Sequence, residues 1–369
     1  MVTMPSSSVI PPPQPVTPSH PRDWSFGIDE YLRENDISCD DAIPLNTGTS
    51  CYLWRLEGLR GPDVLVNGHT AGKPAIMKCA DSTPKDQAFP VAADRLAVEV
   101  KALKSAAVAE ACRQEPSVRV PVVLRATTNG FIMSDVGHTD LWTAYKADKS
   151  IDASAIGARL GRWLAHLHRA GIAQGQDGWK DMNDELRKFY VPGGIAESFV
   201  YAAVSSHEAR ERIMSALRAP PGARTLTPWD FRPMNVVLRA NEHDRSAPDL
   251  AVVDWELCHY GDPADDVRMW FSEVLLLESR YGDRGMLSSF LSEYGKQAGP
   301  GILDQEFVCR VALSAGVYIL FIMAVNPGVW DCTDTDAELW KDKALKYIQA
   351  GVERDLAWLR STPLTHLVD

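Results

Sequence analysis

The sequence predicts an α+β protein built from two lobes, and three features of its 369 residues lead to that prediction. Strand patterns and one helical pattern fill the chain from Trp24 to about Ser134. Helical periodicity dominates after Gly137 and again over residues 266–369. Between these helical stretches a polar segment separates two apolar runs, which is typical of a β-hairpin. A chain of this length can also bury two separate cores.

The first segment, residues 1–22, is rich in Pro and Ser and poor in large apolar residues. Such a composition buries too little apolar surface to offset the entropy lost on ordering the chain. We therefore expect a disordered tail here. A Pro-rich ligand for another domain is the alternative.

The small lobe is predicted over residues 23–134. The stretches TSCYLWRLEG, KPAIMKCA and GFIMSDV have the composition of strands, with turn residues between the first two. The segment DRLAVEVKALKSAAVAEAC lies between the second and third strands and has apolar residues at helical spacing, from Leu96 to Ala107. These patterns indicate a small antiparallel sheet that carries one long helix.

The large lobe is predicted over residues 135–369 and is mostly helical. Its helix SAIGARLGRWLAHLHRAG is expected to end at Gly171, because glycine is a frequent C-terminal cap. The runs NVVLRA and LAVVDWE flank the polar segment NEHDRSAPD, which predicts one β-hairpin within this lobe.

Composition excludes several classes of partner. The net charge of −11 argues against a nucleic-acid ligand, because phosphate contacts need clustered Lys and Arg, and it favours a neutral or cationic small substrate. The seven cysteines include no C-x-x-C pair, so neither a disulfide framework nor a structural zinc site is indicated. No secretion signal or uninterrupted apolar run of roughly 20 residues is evident. We expect a cytosolic protein without a membrane partner.

Four short segments place chemistry-bearing residues in the order that phosphoryl transfer requires, and two of them lie in the small lobe. Gly48 and Thr49 occupy a turn before a strand, where backbone N–H groups can bind nucleotide phosphates, although an ordinary turn has the same composition. Lys78 lies in an apolar strand, where an unpaired ammonium is costly to bury. Glu99 on the following helix is the candidate partner, as in kinases. The alternative is a lysine and a glutamate that both face solvent.

The other two segments lie at the predicted hairpin. Asp230 and Asn235 have the D-x-x-x-x-N spacing of a kinase catalytic loop, in which the Asp orients the acceptor hydroxyl and the Asn ligates magnesium. A turn-forming Asp with an unrelated Asn is the alternative. Asp254 follows a wholly apolar strand, and a carboxylate seldom ends a buried strand without a partner such as Mg2+. The hairpin would bring Asn235 and Asp254 to the same end of adjacent strands.

Three longer motifs, LGRWLAHLHRAG, FIMSDVG and VVDWELCHYGDPADDVRMW, accompany these residues. With them, the chain from about residue 25 to 360 resembles the aminoglycoside phosphotransferase and choline kinase group of protein-kinase-like small-molecule kinases. The stretches GTSCYLWRL and DWELCHYG are similar to fungal members of the methylthioribose-kinase-like or hydroxytryptamine-kinase-like branch. The resemblance implies a bilobal protein-kinase-like fold and transfer from ATP, with Mg2+, to a hydroxyl group of an amine, a sugar or a hydroxyaromatic metabolite.

The resemblance also implies roles for individual residues. The implied site consists of the phosphate-orienting pair Lys78 and Glu99, the hinge residues Ser134 and Val136 with backbone groups for adenine, the catalytic base Asp230, and the magnesium ligands Asn235 and Asp254. Asp262, Asp266 and His168 are expected to stabilise the lobe and not to touch substrate.

One departure from the family pattern affects the catalytic loop. Pro228 and Trp229 stand where the group usually has His-Gly, and proline fixes φ and removes a donor. Arg232 adds a cation beside Asp230 that could bind a substrate carboxylate or a phosphate oxygen. Two alternatives to a hydroxyl kinase therefore stay open. One is a kinase-fold protein that only binds nucleotide or metabolite, and the other is an enzyme that activates a carboxylate by phosphorylation, with Arg232 as the clamp.

The sequence does not identify the acceptor. The segment NPGVWDCTDTDAELW contains Trp330, Asp331, Asp334 and Asp336, which could form an acidic rim with an aromatic edge that suits an amine. A loop followed by a helix with an acidic first turn is the alternative, because the helix dipole favours acids there. Aminoglycosides, sugars, amino alcohols and hydroxyindoles all stay possible, and no pattern indicates the oligomeric state.

Overall fold

The computed structural model describes residues 27–45, 51–61, 72–80, 95–127, 129–176, 179, 195–239, 248–325 and 327–368. Gly48, Thr49 and the tail of residues 1–22 lie outside the described residues. The architecture is α+β, as predicted, with a small antiparallel sheet and a larger helical part.

The first part of the chain forms a five-stranded antiparallel sheet in the order β1-β2-β3-β6-β5. The elements up to residue 134 are α1 (Ile28–Glu34), β1 (Asp41–Leu45), β2 (Tyr52–Glu57), β3 (Ala75–Cys79), α2 (Arg95–Leu103), α3 (Ala106–Gln114), β4 (Val118–Arg119), β5 (Val123–Thr127) and β6 (Gly130–Ser134). One face of the sheet packs Trp54 and Met77 against α1, and the other packs Phe131 and Met133 against α2. The three predicted strands are therefore confirmed as β2, β3 and β6.

The prediction of one long helix in this lobe is wrong, because two shorter helices replace it. The chain breaks at Ser105, whose backbone is extended and whose side chain accepts a hydrogen bond from the Val108 N–H at the start of α3. Serine stabilises such a start because its hydroxyl satisfies a donor that has no partner within the helix. Helix α3 then contributes Val108 and Ala111 to the core of the large lobe.

The rest of the chain is mostly helical, as predicted. Its elements are β7 (Thr139–Asp140), α4 (Leu141–Ala147), α5 (Ala153–Gln174), α6 (Ile195–Ala203), α7 (His207–Arg218), β8 (Thr225–Thr227), β9 (Val236–Arg239), β10 (Asp249–Val252), β11 (His259–Gly261), α8 (Ala264–Tyr281), α9 (Met286–Ala298), α10 (Gln305–Val325), α11 (Asp334–Glu353), α12 (Leu356–Leu359) and α13 (Thr365–Val368). Strand β6 ends at Ser134, next to the predicted lobe boundary, which itself stays a prediction.

Helix α5 does not end where the sequence predicts. It continues through Gly171 to Gln174, and Gly175 ends it with φ of 76°. Gly171 serves close packing instead, since a Cβ there would lie 2.3 Å from Thr225 Oγ1 and 2.6 Å from the Leu226 backbone nitrogen. The glycine therefore lets α5 approach β8.

The predicted hairpin is confirmed and lies under the small lobe. Strands β9 and β10 pair antiparallel, with Val236 opposite Val252, inside a sheet of order β4-β10-β9-β7. Beyond the last pair, the Val253 N–H donates to the Asn235 carbonyl oxygen at 2.9 Å. Asn235 and Asp254 therefore leave the same end of the two strands.

Helix α10 is the one helix, among those that the structure describes, with the length and apolar composition of a membrane-spanning segment. Most of its residues are buried inside the protein, between α8 and α11. A central helix of a packed core has the same composition, so α10 is explained by its place in the large lobe.

Candidate active site between the two lobes

Lys78 lies at the centre of a buried group of carboxylates. The side chain is 4% exposed, and its Nζ lies 2.7 Å from Glu99 Oε2, 2.5 Å from Asp254 Oδ1 and 3.3 Å from Glu256 Oε2. Burial opposes the ammonium charge, but the three carboxylates outweigh burial and raise the pKa of Lys78 well above its ordinary value. The predicted contact between Lys78 and Glu99 is therefore present, and Asp254 of the large lobe joins it.

Glu99 joins α2 to the segment that follows β10. Its Oε2 accepts from Lys78, and its Oε1 accepts the backbone N–H of Trp255 at 3.2 Å. Burial raises the pKa of Glu99, and the Lys78 ammonium opposes that shift. One carboxylate therefore contacts both the small-lobe lysine and the loop that carries Asp254.

The carboxylates of Glu99, Asp254 and Glu256 lie within 4.8 Å of one another, which is close enough to share a metal ion. The Lys78 ammonium, however, lies within hydrogen-bond or ion-pair distance of all three. We therefore interpret this cluster as an ion-pair network and not as a metal centre.

Sequence reasoning missed Glu256, which is buried and joins the two lobes. Its Oε2 accepts from the Cys51 thiol at 3.1 Å and lies 3.7 Å from Arg95 Nε. The available signal was a second carboxylate two residues after Asp254, in an apolar setting. The partners of Glu256 lie far away in the sequence, so no local pattern could predict them.

The catalytic-loop candidates Asp230 and Asn235 contact each other directly. Asn235 Nδ2 donates to the Asp230 carboxylate at 2.7 Å and to the Asp230 carbonyl at 3.0 Å. Burial raises the pKa of Asp230 from an ordinary value of 3.8 to about 6, although the nearby Arg232 favours the ionised form. Asp230 is therefore mostly ionised at neutral pH, and its orientation is held by Asn235.

Asn235 and Asp254 have the oxygen atoms that a divalent cation needs. Both side-chain hydrogen bonds of Asn235 use its nitrogen, so its amide oxygen has no donor within the part of the chain that the structure describes. Asp254 has φ of 65° and a side chain that is 36% exposed, and one of its oxygens contacts Lys78. Carboxylate and amide oxygens suit Mg2+. These residues therefore fit the predicted ligand role, which stays a prediction.

Trp229 replaces the usual glycine and keeps a left-handed backbone, with φ of 64°. This conformation costs a bulky residue roughly 1–3 kcal/mol. The Trp229 N–H donates to Asp266 Oδ1 at 2.7 Å, and Asp266 Oδ2 accepts from His168 Nε2 at 3.0 Å. His168 Nδ1 in turn lies 2.8 Å from the Tyr294 hydroxyl oxygen. Asp266 and His168 thus support the loop, which agrees with the structural role expected for them.

The indole and the neighbouring phenyl ring anchor the same loop. Trp229 packs edge-on against His259, with ring centroids 5.3 Å apart. Phe231 is fully buried and lies 6.0 Å from the Trp163 ring and 5.1 Å from the Trp270 ring. Rings on both sides of Asp230 therefore hold it in place despite the missing His-Gly.

Arg232 lies 3.9 Å from Asp230 and also pairs with a second acid. Its Nε lies 3.3 Å from Glu273 Oε1 on α8, and the Tyr318 hydroxyl donates to the same oxygen at 2.8 Å. Burial opposes the guanidinium charge, but Glu273 and its neighbours raise the pKa of Arg232. Glu273 was missed from the sequence, where its only signal was one acid inside the apolar run MWFSEVLLL.

The hinge residues lie at the end of β6, an inner strand of the small sheet, and just after it. The Ser134 N–H donates to the Val122 carbonyl at 2.9 Å, so this N–H is not available to a nucleotide base. The prediction that the hinge binds adenine therefore applies to the Ser134 carbonyl and to the backbone groups of Val136. Ser134 and Val136 both line a cavity of about 470 Å3 at the junction of the lobes.

The acidic rim predicted around Trp330 is largely used within the protein. Asp331 pairs with Lys146 Nζ at 2.6 Å, and Asp336 caps α11 in a reciprocal pair with Thr333. The alternative, a helix with an acidic first turn, therefore describes Asp336. Trp330 is buried, with the Arg232 guanidinium 5.6 Å from its ring centre.

A second cavity, of about 500 Å3, lies beside the catalytic loop. Its wall includes the rings of Trp229, Phe199, Tyr318 and Phe321. Trp229, which belongs to this wall, directly precedes Asp230 in the chain. A small aromatic molecule fits both its size and its composition.

Comparison with known proteins identifies one family and several similar proteins. The family described as "Phosphotransferase enzyme family" matches residues 85–301. The chain is 24% identical over 355 residues to the 4-hydroxytryptamine kinase of Psilocybe cyanescens, covering 89% of this chain and 91% of that protein. It is 23% identical over 362 residues to the enzyme of the same name from Psilocybe cubensis, covering 88% and 90%. The ADP-bound crystal structure of aminoglycoside phosphotransferase APH(2'')-Ib is similar at 15% identity and a TM-score of 0.49, covering 89% of this chain and 98% of that chain.

Proposed function

This chain belongs to the phosphotransferase enzyme family and is a small-molecule kinase, and we propose that it transfers the γ-phosphoryl group of ATP, with Mg2+, to a hydroxyl group of its acceptor. One observation carries the proposal. Lys78 of the small lobe contacts both Glu99 and Asp254, while Asp230 and Asn235 are bonded to each other on the neighbouring loop. Phosphoryl transfer needs a cation for the phosphates, oxygen ligands for magnesium and a base for the acceptor.

Asp230 is the proposed base. An ionised Asp230 accepts a hydrogen bond from the acceptor hydroxyl, and its contact with Asn235 Nδ2 fixes the direction in which the carboxylate points. Lys78 binds nucleotide phosphate oxygens, with Glu99 holding its ammonium in place. Arg232 contributes positive charge next to Asp230, where negative charge develops during transfer. Asn235 and Asp254 would hold the Mg2+ ion, which would neutralise phosphate charge when bound.

We propose a hydroxyaromatic acceptor as the leading class. The relatives are named for 4-hydroxytryptamine, which carries a hydroxyl on an indole ring. The cavity of about 500 Å3 beside Trp229 has aromatic side chains on several sides, which supports a flat ring as its ligand.

The test is an ADP-release assay with MgATP against hydroxyaromatics, sugars and amino alcohols. We expect Mg2+-dependent ADP release with at least one acceptor, and a decrease of about 10²-fold or more in Asp230→Asn. Asp342→Asn, at an exposed position of α11, serves as the control and should keep the activity.

Two outcomes would contradict the proposal. ATP that raises the melting temperature without ADP release from any acceptor indicates a binding protein. A product that hydroxylamine cleaves is an acyl phosphate, and it indicates that the enzyme activates a carboxylate instead of a hydroxyl.

A further inference from the structure

The cavity beside Trp229 has a charge pattern that bears on the identity of the acceptor. Its wall includes Trp229, which precedes Asp230 in the chain, and Tyr318, whose hydroxyl donates to Glu273, the partner of Arg232. The inference below rests on the proposed function, since it treats this cavity as the acceptor site.

Positive groups outnumber negative groups along the cavity wall. Among the residues that the structure describes, the charged side chains of the wall are Arg218, Arg224, Arg268, Arg310, Asp262 and Asp265. The whole chain, in contrast, carries a net charge of −11. The wall therefore differs in sign of charge from the chain as a whole, which favours an anionic ligand there.

Both acids of the wall are already paired. Asp262 accepts from two nitrogens of Arg310, and the third nitrogen of that guanidinium donates to the Ala219 carbonyl at 2.9 Å. Asp265 accepts from Arg268 Nε at 2.9 Å. Within the described part of this wall, no carboxylate is left unpaired to bind an ammonium group.

Two of the guanidinium groups keep capacity for an anion. Arg268 uses only its Nε in a side-chain hydrogen bond within the described residues, is 12% exposed and lies 5.3 Å from the Tyr318 ring centre. Arg224 donates to a neutral group, the Tyr260 carbonyl, at 2.9 Å, and has no carboxylate partner among the residues that the structure places. A guanidinium with free N–H groups in a partly buried cavity is well suited to bind a carboxylate.

We propose that the acceptor is a hydroxyaromatic compound with a carboxylate, for which Arg268 is the main anchor and Arg224 a second positive charge. The ring contacts Trp229 and Phe321, and the ring hydroxyl faces Asp230. In the reaction, the hydroxyl oxygen bonds to the γ-phosphorus and the bond from that phosphorus to the β–γ bridging oxygen breaks. The hydroxyl proton passes to Asp230, and ADP leaves. This acceptor class differs from the amine in the names of the relatives, which lacks a carboxylate.

Two acceptors that differ only in the carboxylate test the proposal, 4-hydroxytryptophan and 4-hydroxytryptamine. We expect kcat/KM to be about 10- to 100-fold higher for 4-hydroxytryptophan, the range of a hydrogen bond to a charged group. Arg268→Gln and Arg224→Gln should lower kcat/KM for 4-hydroxytryptophan and leave that for 4-hydroxytryptamine within about 2-fold. Arg268→Lys should keep part of the preference. Arg113→Gln, on an exposed face of α3, is the matched control.

A binding measurement separates this proposal from the proposed function. Calorimetry with the Asp230→Asn protein and two ligands without a hydroxyl, indole-3-acetate and tryptamine, requires no turnover. Tighter binding of indole-3-acetate, lost in a protein that also carries Arg268→Gln, supports the carboxylate site even if ADP release fails. Equal or tighter binding of tryptamine overturns it. Preferred phosphorylation of 4-hydroxytryptamine, with no effect of either glutamine variant, overturns it as well and leaves the kinase function standing.

Discussion

The substitution Asp230→Asn should stabilise the protein while it removes activity. Burial raises the pKa of Asp230 to about 6, so in the folded state the ionised carboxylate is less favourable than in the unfolded chain. Above pH 6 the native protein therefore carries the full cost of that ionisation. Below about pH 4 the group is protonated in both states, and the cost disappears.

The magnitude follows from the size of the shift. The pKa of Asp230 rises from 3.8 to about 6, a change of roughly 2 units. Each unit corresponds to 1.36 kcal/mol, so the upper value of the effect is about 3 kcal/mol. Dividing about 3 kcal/mol by the unfolding entropy expected for a chain of this size gives an increase of about 4 °C in Tm. Asn235 Nδ2 can donate to the new amide oxygen as it does to the carboxylate, so the loop geometry is retained.

Thermal unfolding from pH 4.5 to pH 8 measures this effect. The difference in Tm between Asp230→Asn and the wild type should be about a third of its full size at pH 4.5 and reach its full size near pH 7. Asp342→Asn, at an exposed site, should show no such trend. A variant that is less stable than the wild type at pH 8, or a difference that does not depend on pH, would refute the buried-charge reasoning.

Three further substitutions have defined outcomes. Lys78→Met removes the cation that three carboxylates share, and we expect a loss of about 3–5 kcal/mol at pH 8 in urea unfolding and a smaller loss at pH 5. Gly171→Ala places a methyl group against β8 and should cost about 1–3 kcal/mol by the same measurement, whereas Gly222→Ala, with only an ordinary contact at 3.8 Å, should stay within about 0.5 kcal/mol of wild type. Trp229→Gly relieves a strained φ but leaves a cavity that costs about 3–5 kcal/mol. Denaturant unfolding should therefore show net destabilisation. A stabilised variant would mean that the indole contributes no packing.

The parts of the site that the sequence predicted are those whose reasons are local. Lys78 was notable because a single charge in an apolar strand needs a partner, and Glu99 lies on the next predicted helix. The hairpin could be predicted from two apolar runs around a polar segment. The pairing of β9 with β10 then brings Asn235 and Asp254 to the same end of the hairpin. In each case one rule of chain geometry joined two short segments.

The missed residues depend on packing between segments that are distant in the chain. Glu273 neutralises Arg232 from the buried side of α8, and Glu256 contacts Cys51 of the small lobe. A helical pattern shows that one face is buried, but it does not show which loop will cover a given position. Ser105 is different, because a serine N-cap can be recognised from sequence. The apolar spacing continues across this break, however, and so the pattern indicated one helix instead of two.

The two bonds of Glu99 have a mechanical consequence for the small lobe. Because one oxygen holds the lysine and the other holds the Trp255 amide, α2 cannot shift without disturbing both groups at once. We therefore expect the position of the proposed phosphate-binding cation and that of the proposed metal-binding loop to change together. Val98 and Ala102 of α2 are fully buried, so we expect substitutions that change their packing to act on the site through the position of this helix.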